Sequence, residues 1–131
     1  MKQLNDESTN ILNQLVRMMI GWCAKIDNCE GKFMPVFIST TYEDDSTKIF
    51  TVGHYLSEEG DILANPEMQF LYDWNSGSYF SVYYRQDNID IEQYSVKIED
   101  GLILGINKSL QAEHVEFANQ WLMNIKQQQN L

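Results

Sequence analysis

Only two cysteines and two histidines occur in the 131 residues, and neither Cys-x-x-Cys nor His-Glu-x-x-His accompanies them. A structural zinc needs four ligands at ordered spacing, so no such centre is expected. Cys23 and Cys29 are read as two reduced thiols. Bases are also scarce, nine Lys and Arg against nineteen Asp and Glu, giving a formal charge of −10. A chain this acidic repels phosphate backbones, which argues against direct nucleic-acid binding. No apolar run approaches the roughly 20 residues that span a bilayer, so no membrane contact is expected. The start, Met1-Lys2-Gln3-Leu4-Asn5-Asp6-Glu7, lacks a basic region followed by an apolar stretch, and a cytoplasmic protein is the expectation. Missing too are Gly-x-Gly-x-x-Gly, a P-loop and Gly-x-Ser-x-Gly, so nucleotide and serine hydrolysis lose support and no cofactor is expected.

What is present suits one packed domain over residues 1–131, since 44% of the chain is hydrophobic and 12% aromatic. The charge is uneven. Residues 43–100 hold thirteen acids against Lys48, Arg85 and Lys97, whereas both flanks are neutral. Acids at Glu43-Asp44-Asp45, Glu58-Glu59, Asp87 to Asp90 and Glu99-Asp100 fall where turns are expected, and solvation of those turns accounts for them. The same concentration of charge also favours a basic partner.

Apolar residues at Ile11, Leu15, Met18, Met19, Trp22 and Ile26 recur at helical spacing and predict an amphipathic helix over Ser8–Ile26, capped by Asp6, Ser8 or Thr9, with Trp22 in the core. β-Branched and aromatic runs then predict six strands: Phe33–Tyr42, Lys48–Leu56, Met68–Trp74, Tyr79–Arg85, Ile91–Ile98 and the wholly apolar Leu102–Ile106. Asn75-Ser76-Gly77-Ser78 and Asp100-Gly101 have hairpin chemistry. Gly53 marks a bulge, and Asn65-Pro66 a corner, because proline fixes φ and extends the residue before it. A last helix begins near a Ser109 cap, presents Leu110, His114, Phe117, Ala118, Trp121 and Ile125 as one stripe, and frays after Lys126. The expected class is α+β: a twisted antiparallel meander of six strands with both terminal helices on one face.

His54-Tyr55, the run Gly60-Asp61-Ile62-Leu63-Ala64-Asn65-Pro66-Glu67-Met68-Gln69-Phe70, and Tyr83-Tyr84-Arg85-Gln86-Asp87-Asn88 together resemble a family of small bacterial domains of unknown function carried on plasmids, phages and other mobile elements. The likeness covers about the middle third of the chain. It implies a genomic setting and carries no activity.

Two functional expectations follow. In the first, the chain is a non-catalytic acidic inhibitor from a mobile element. Its carboxylates (Glu43, Asp44, Asp45, Asp87, Asp90, Glu92) occupy a basic surface on a nucleic-acid-handling defence protein of the CRISPR or restriction kind. Tyr79, Tyr83 and Arg85, read as one strand face, give specificity. The alternative is a small enzyme in which His54 works with Asp61, Glu67 and Asp87, an imidazole and carboxylates being enough for acid–base chemistry. Against this, alternation puts His54 with Phe50 and Val52, where a hydrogen-bonded, half-buried imidazole is the simpler outcome.

Overall fold

In the computed structural model, which describes residues 1–131, helix α1 spans Asp6–Met18. Its cap is Asn5, whose side chain accepts from the Ser8 N–H at 2.8 Å, with Asp6 and Glu7 in the first turn where negative charge suits the helix dipole. The predicted helix ends eight residues early. Gly21 takes φ +70°, the chain reverses between Ile20 and Cys23, and Cys23–Ile26 forms strand β1. Pairing with β2 overrides the helical period, leaving Trp22 68% exposed rather than in the core.

Strands β2 (Val36–Glu43), β3 (Thr47–Glu58), β4 (Asp61–Asp73), β5 (Ser78–Gln86) and β6 (Ile91–Tyr94) complete an antiparallel six-stranded meander in the order β1 to β6. Its membership differs from the expected six. β1 comes from the supposed helix, and the predicted fifth strand is cut at Ser95 into β6 and β7 (Val96–Glu99), which pairs with β8 (Leu102–Ile106) as a separate hairpin. Ser95 is fixed from several sides: its N–H donates to the Val82 carbonyl, its carbonyl accepts from Asn107, and its hydroxyl meets His114 Nδ1. The chain therefore leaves the sheet there.

The supposed corner at Asn65-Pro66 lies inside β4, and the peptide between them is cis. Ladder pairing skips it, passing from Gly53–Glu67 to Tyr55–Ala64, so the missing proline N–H falls in a bulge where no ladder bond is lost. The reversal expected at Glu58-Glu59-Gly60-Asp61 is present, as a turn with Glu59 and Gly60 both at positive φ. A second bulge skips Val82 between the Phe70–Ser81 and Gln69–Tyr83 pairs, shifting the alternation of β5 by one.

Helix α2 spans Lys108–Gln129, capped by Asn107 rather than Ser109. It lies with α1 on one face of the sheet, where the core gathers Ile11, Leu12 and Leu15 from α1, Phe50, Val52, Met68, Phe70 and Tyr79 from the strands, and Val115, Ala118, Trp121, Leu122 and Ile125 from α2. The expected fraying after Lys126 does not occur. Gln129 is fully buried, accepts from the Asn28 N–H at 2.8 Å and donates to the Met34 carbonyl at 3.0 Å. No helix is long and apolar enough to cross a membrane.

Candidate functional site

The sheet has two unlike faces. On the helix face His54 is buried, its Nδ1 3.1 Å from the Pro35 carbonyl oxygen and its ring edge-on to Trp121. Burial pulls its pKa below the ordinary value, as it does for His114. Both imidazoles are therefore neutral, packed parts of the core.

The outer face carries the polar network. The Tyr55 hydroxyl donates to Glu67 at 2.6 Å, and the Tyr83 hydroxyl to Glu92 at 2.5 Å. The Arg85 guanidinium donates through Nε and Nη2 to the two Asp87 oxygens at 2.7 and 2.9 Å, and Asp87 also accepts from the Ala64 N–H at 2.6 Å. Arg85 holds the Asp87 carboxyl below its usual range, while burial and the facing carboxylates push both tyrosines up. Gly53 makes room for this arrangement, since a Cβ there would come within 2.7 Å of the Tyr55 ring.

Next to the network the outer face opens into an apolar groove of about 530 Å³ lined by Cys23, Ala24, Lys25, Phe37, Tyr55 and Ile62, among others. Phe37 and Tyr55 meet edge to face. Ile62 is 71% exposed, and directly beyond it the β3–β4 hairpin presents Glu58, Glu59 and Asp61 to solvent. The remainder of the outer face is covered by the β7–β8 hairpin, where Val96 packs on Leu71, Val82 and Tyr83.

The residues singled out from sequence do not form one patch. Because of the Val82 bulge, Tyr79 and Tyr83 face opposite ways: Tyr79 enters the helix-side core and donates to Asn13 at 2.7 Å, whereas Tyr83 and Arg85 face outward. The shared Tyr79, Tyr83 and Arg85 face is thus corrected. His54 lies across the sheet from Glu67, Asp61 stands at a hairpin tip and Asp87 is locked to Arg85, so the four groups of the enzymatic alternative do not converge. Nowhere do three or more His, Cys, Asp or Glu gather closely enough to hold a metal ion.

The acids divide between the two ends of the sheet. Glu43, Asp44, Asp45, Asp73, Glu99 and Asp100 lie at one end, where the Tyr42 hydroxyl bonds both Asp44 and the Asp100 carbonyl. Glu58, Glu59, Asp61, Glu67, Asp87, Asp90 and Glu92 lie at the other. The strand from Thr47 to Gly53 alone covers about 20 Å at ~3.3 Å per residue, and salt screens exposed charges over about 8–10 Å, so the two sets act separately. Several of these acids already have internal partners. Asp44 caps its turn through the N–H groups of Ser46 and Thr47 and accepts from Tyr42, which brings its carboxyl to about 2. Glu43 pairs with Lys48, while Glu67, Asp87 and Glu92 belong to the network. Asp45, Asp73, Glu99 and Asp100 at one end and Glu58, Glu59, Asp61 and Asp90 at the other join no ion pair; of these, Glu58, Glu59 and Asp61 are the free charge on the hairpin beside the groove. From sequence, only their position in a turn marked them. The groove needed residues from β1 to β4 to be brought together and had no local signal.

A family model described as a domain of unknown function, DUF6908, matches residues 6–131, and the chain belongs to that family. No curated protein and no solved structure matches the chain.

Proposed function

We propose that this DUF6908 domain is a non-catalytic binding module that takes a basic protein surface at the Glu58–Asp61 end of its sheet. The observation that carries the reading is the adjacency of an open apolar groove to three carboxylates without ion-pair partners, Glu58, Glu59 and Asp61. Apolar contact supplies holding energy, and the charges steer encounter and select Lys- and Arg-rich partners. The imidazole of His54 lies on the opposite face of the sheet from Glu67 and Asp87, and Asp61 stands at a hairpin tip, which favours binding over acid–base chemistry. The likeness of the central strings to domains of plasmids and phages directs the proposal further: the partner is a cytoplasmic host defence protein, of the CRISPR or restriction kind, whose nucleic-acid channel offers that basic surface.

The test is capture from host lysate at low and high salt, followed by association kinetics with the captured protein. The triple variant E58Q/E59Q/D61N should associate about tenfold more slowly at low salt and show a flatter salt dependence, since steering operates over a Debye length. The pair E43Q/D45N, at the far end, should associate as the parent does. Equal rates for the triple variant and the parent would overturn the reading.

A further inference from the structure

On the helix side of the sheet a second cavity, of about 370 Å³, opens beside His54, within the range of small-ligand sites, about 300–1,000 Å³. His54 reaches it from β3, at the bulge where β4 carries Asn65. Trp121, Asn124 and Gln128 come from α2 at i, i+3 and i+7, one stripe of that helix. The third side is the β1–β2 connection, through Lys32, Phe33 and Met34, and Gln129 anchors that connection at Asn28 and Met34.

The polar groups here fit one kind of ligand. His54 is only 7% exposed, and its Nδ1 lies 3.1 Å from the Pro35 carbonyl oxygen. A carbonyl only accepts, so Nδ1 carries the proton and Nε2 is left a bare acceptor that no group of the chain meets. Around it the free groups are donors. Gln86 Nε2 already occupies the Asn65 Oδ1, and Gln120 Nε2 the Asn124 Oδ1, which leaves both Nδ2 groups unpaired. Lys32 joins no ion pair, and no carboxylate lines the cavity, although the chain carries −10.

We propose that this cavity binds an N-acylated amino acid with an apolar side chain and a free carboxylate, either as a small molecule or as the carboxyl-terminal residue of a peptide. The carboxylate takes the donors of Lys32, Asn65 and Asn124. The N–H on the neighbouring carbon donates to His54 Nε2, and an amide N–H, which only donates, is what an acceptor-only nitrogen requires. The apolar side chain packs on Phe33, Met34 and Trp121. Capture of a terminal carboxylate by fixed N–H donors is an established mode of peptide recognition. An anion enters here against the field of an acidic chain, so its binding reports local donors rather than general attraction. The outer-face groove takes no part, and this inference does not depend on the proposed partner.

N-acetyl-leucine, titrated to about 10 mM into the isotope-labelled full chain, should give saturable NMR shifts at the side-chain amides of Asn65 and Asn124 and at the Trp121 indole. N-acetyl-leucinamide lacks the carboxylate and N-acetyl-N-methyl-leucine lacks the N–H; each should bind about tenfold more weakly. K32A, at an exposed position, should weaken binding of the acid about tenfold and leave that of the amide unchanged. H54F should abolish the difference between N-acetyl-leucine and its N-methyl form. If H54F does not fold, the methylated ligand reads the same contact on the parent. Acetyl-glycyl-glycyl-leucine separates the two sources: binding tighter than N-acetyl-leucine assigns a peptide end, and weaker binding assigns the small molecule. No saturable shift across the titration, shifts that miss the cavity, or an amide or N-methyl form that binds as tightly as N-acetyl-leucine would each overturn the proposal.

Discussion

At the scale of single residues, two of the three tryptophans show how similar sequence signals reach opposite environments. Trp22 and Trp121 both sit in apolar helical patterns, yet Trp22 is 68% and Trp121 6% exposed. Trp121→Ala is expected to cost about 3–5 kcal/mol, whereas Trp22→Ala should stay within about 0.5 kcal/mol; urea denaturation of both variants checks this. The indole N–H of Trp121 is buried without a partner; Trp121→Phe removes that unmet donor yet keeps a buried aromatic ring, so it should cost clearly less than Trp121→Ala. The histidines give a pH signature. Burial places the folded pKa of His54 and His114 below the ordinary 6.5, so below pH 6.5 the unfolded chain binds more protons than the folded one. Their neutral packing leaves stability intact above pH 6.5, and it is lost as pH falls through the lower folded values. Asp44 adds a separate loss between 3.8 and about 2. Melting temperature followed from pH 8 to 4 should decline from about 6.5 downward, and the decline should be shallower in H54Q/H114Q.

At the scale of elements, α2 is fixed by two buried glutamines one at each end. Gln111 accepts from the Lys2 N–H at 2.9 Å and donates to the carbonyls of Lys2 and Ser81 at 2.8 and 3.2 Å, while Gln129 ties the last turn to the β1–β2 connection. Either one replaced by Ala leaves buried backbone groups unmet, an expected loss of about 1–3 kcal/mol. Removal of residues 127–131 should lower the melting temperature by more than fraying would allow, and hydrogen exchange should show Asn28 losing protection. The β-bulges act on faces rather than on stability. By skipping Val82, the β5 bulge turns Tyr79 inward to Asn13 and leaves Tyr83 and Arg85 outside. An alternation read from sequence has no access to this, because the extra residue is defined by the partner strand.

At the scale of the whole molecule, the charge that looks like one acidic block in sequence becomes two poles. A meander sends successive turns to alternate ends of the sheet, so 43–46, 73–77 and 99–101 meet at one end, and 58–61 and 87–92 at the other. Directionality therefore belongs to each pole. The pole beside the groove carries the expected effect on partner association, and kinetics of E58Q/E59Q/D61N against E43Q/D45N separates the two.

The sequence by itself determined the class: two amphipathic helices around a run of short β-branched and aromatic strands joined by Gly, Asn and Asp turns leave an antiparallel α+β fold as the natural way to bury both patterns. It also determined that His54 packs with Phe50 and Val52, because period-two alternation is local. The tertiary structure alone decided where the first helix stops, since β1 exists through its pairing with β2 and the residues Trp22 to Ile26 fit a helical period equally well. It alone decided that Ile91–Ile98 divides at Ser95, through bonds to Val82, Asn107 and His114, and that Asn65-Pro66 sits within a strand, in a bulge set by its neighbour. The groove and the polar network were likewise decided there. Phe37, Tyr55 and Ile62, or Tyr83 and Glu92, are brought together by strand register, and register is a property of pairs of strands that no single stretch of sequence contains.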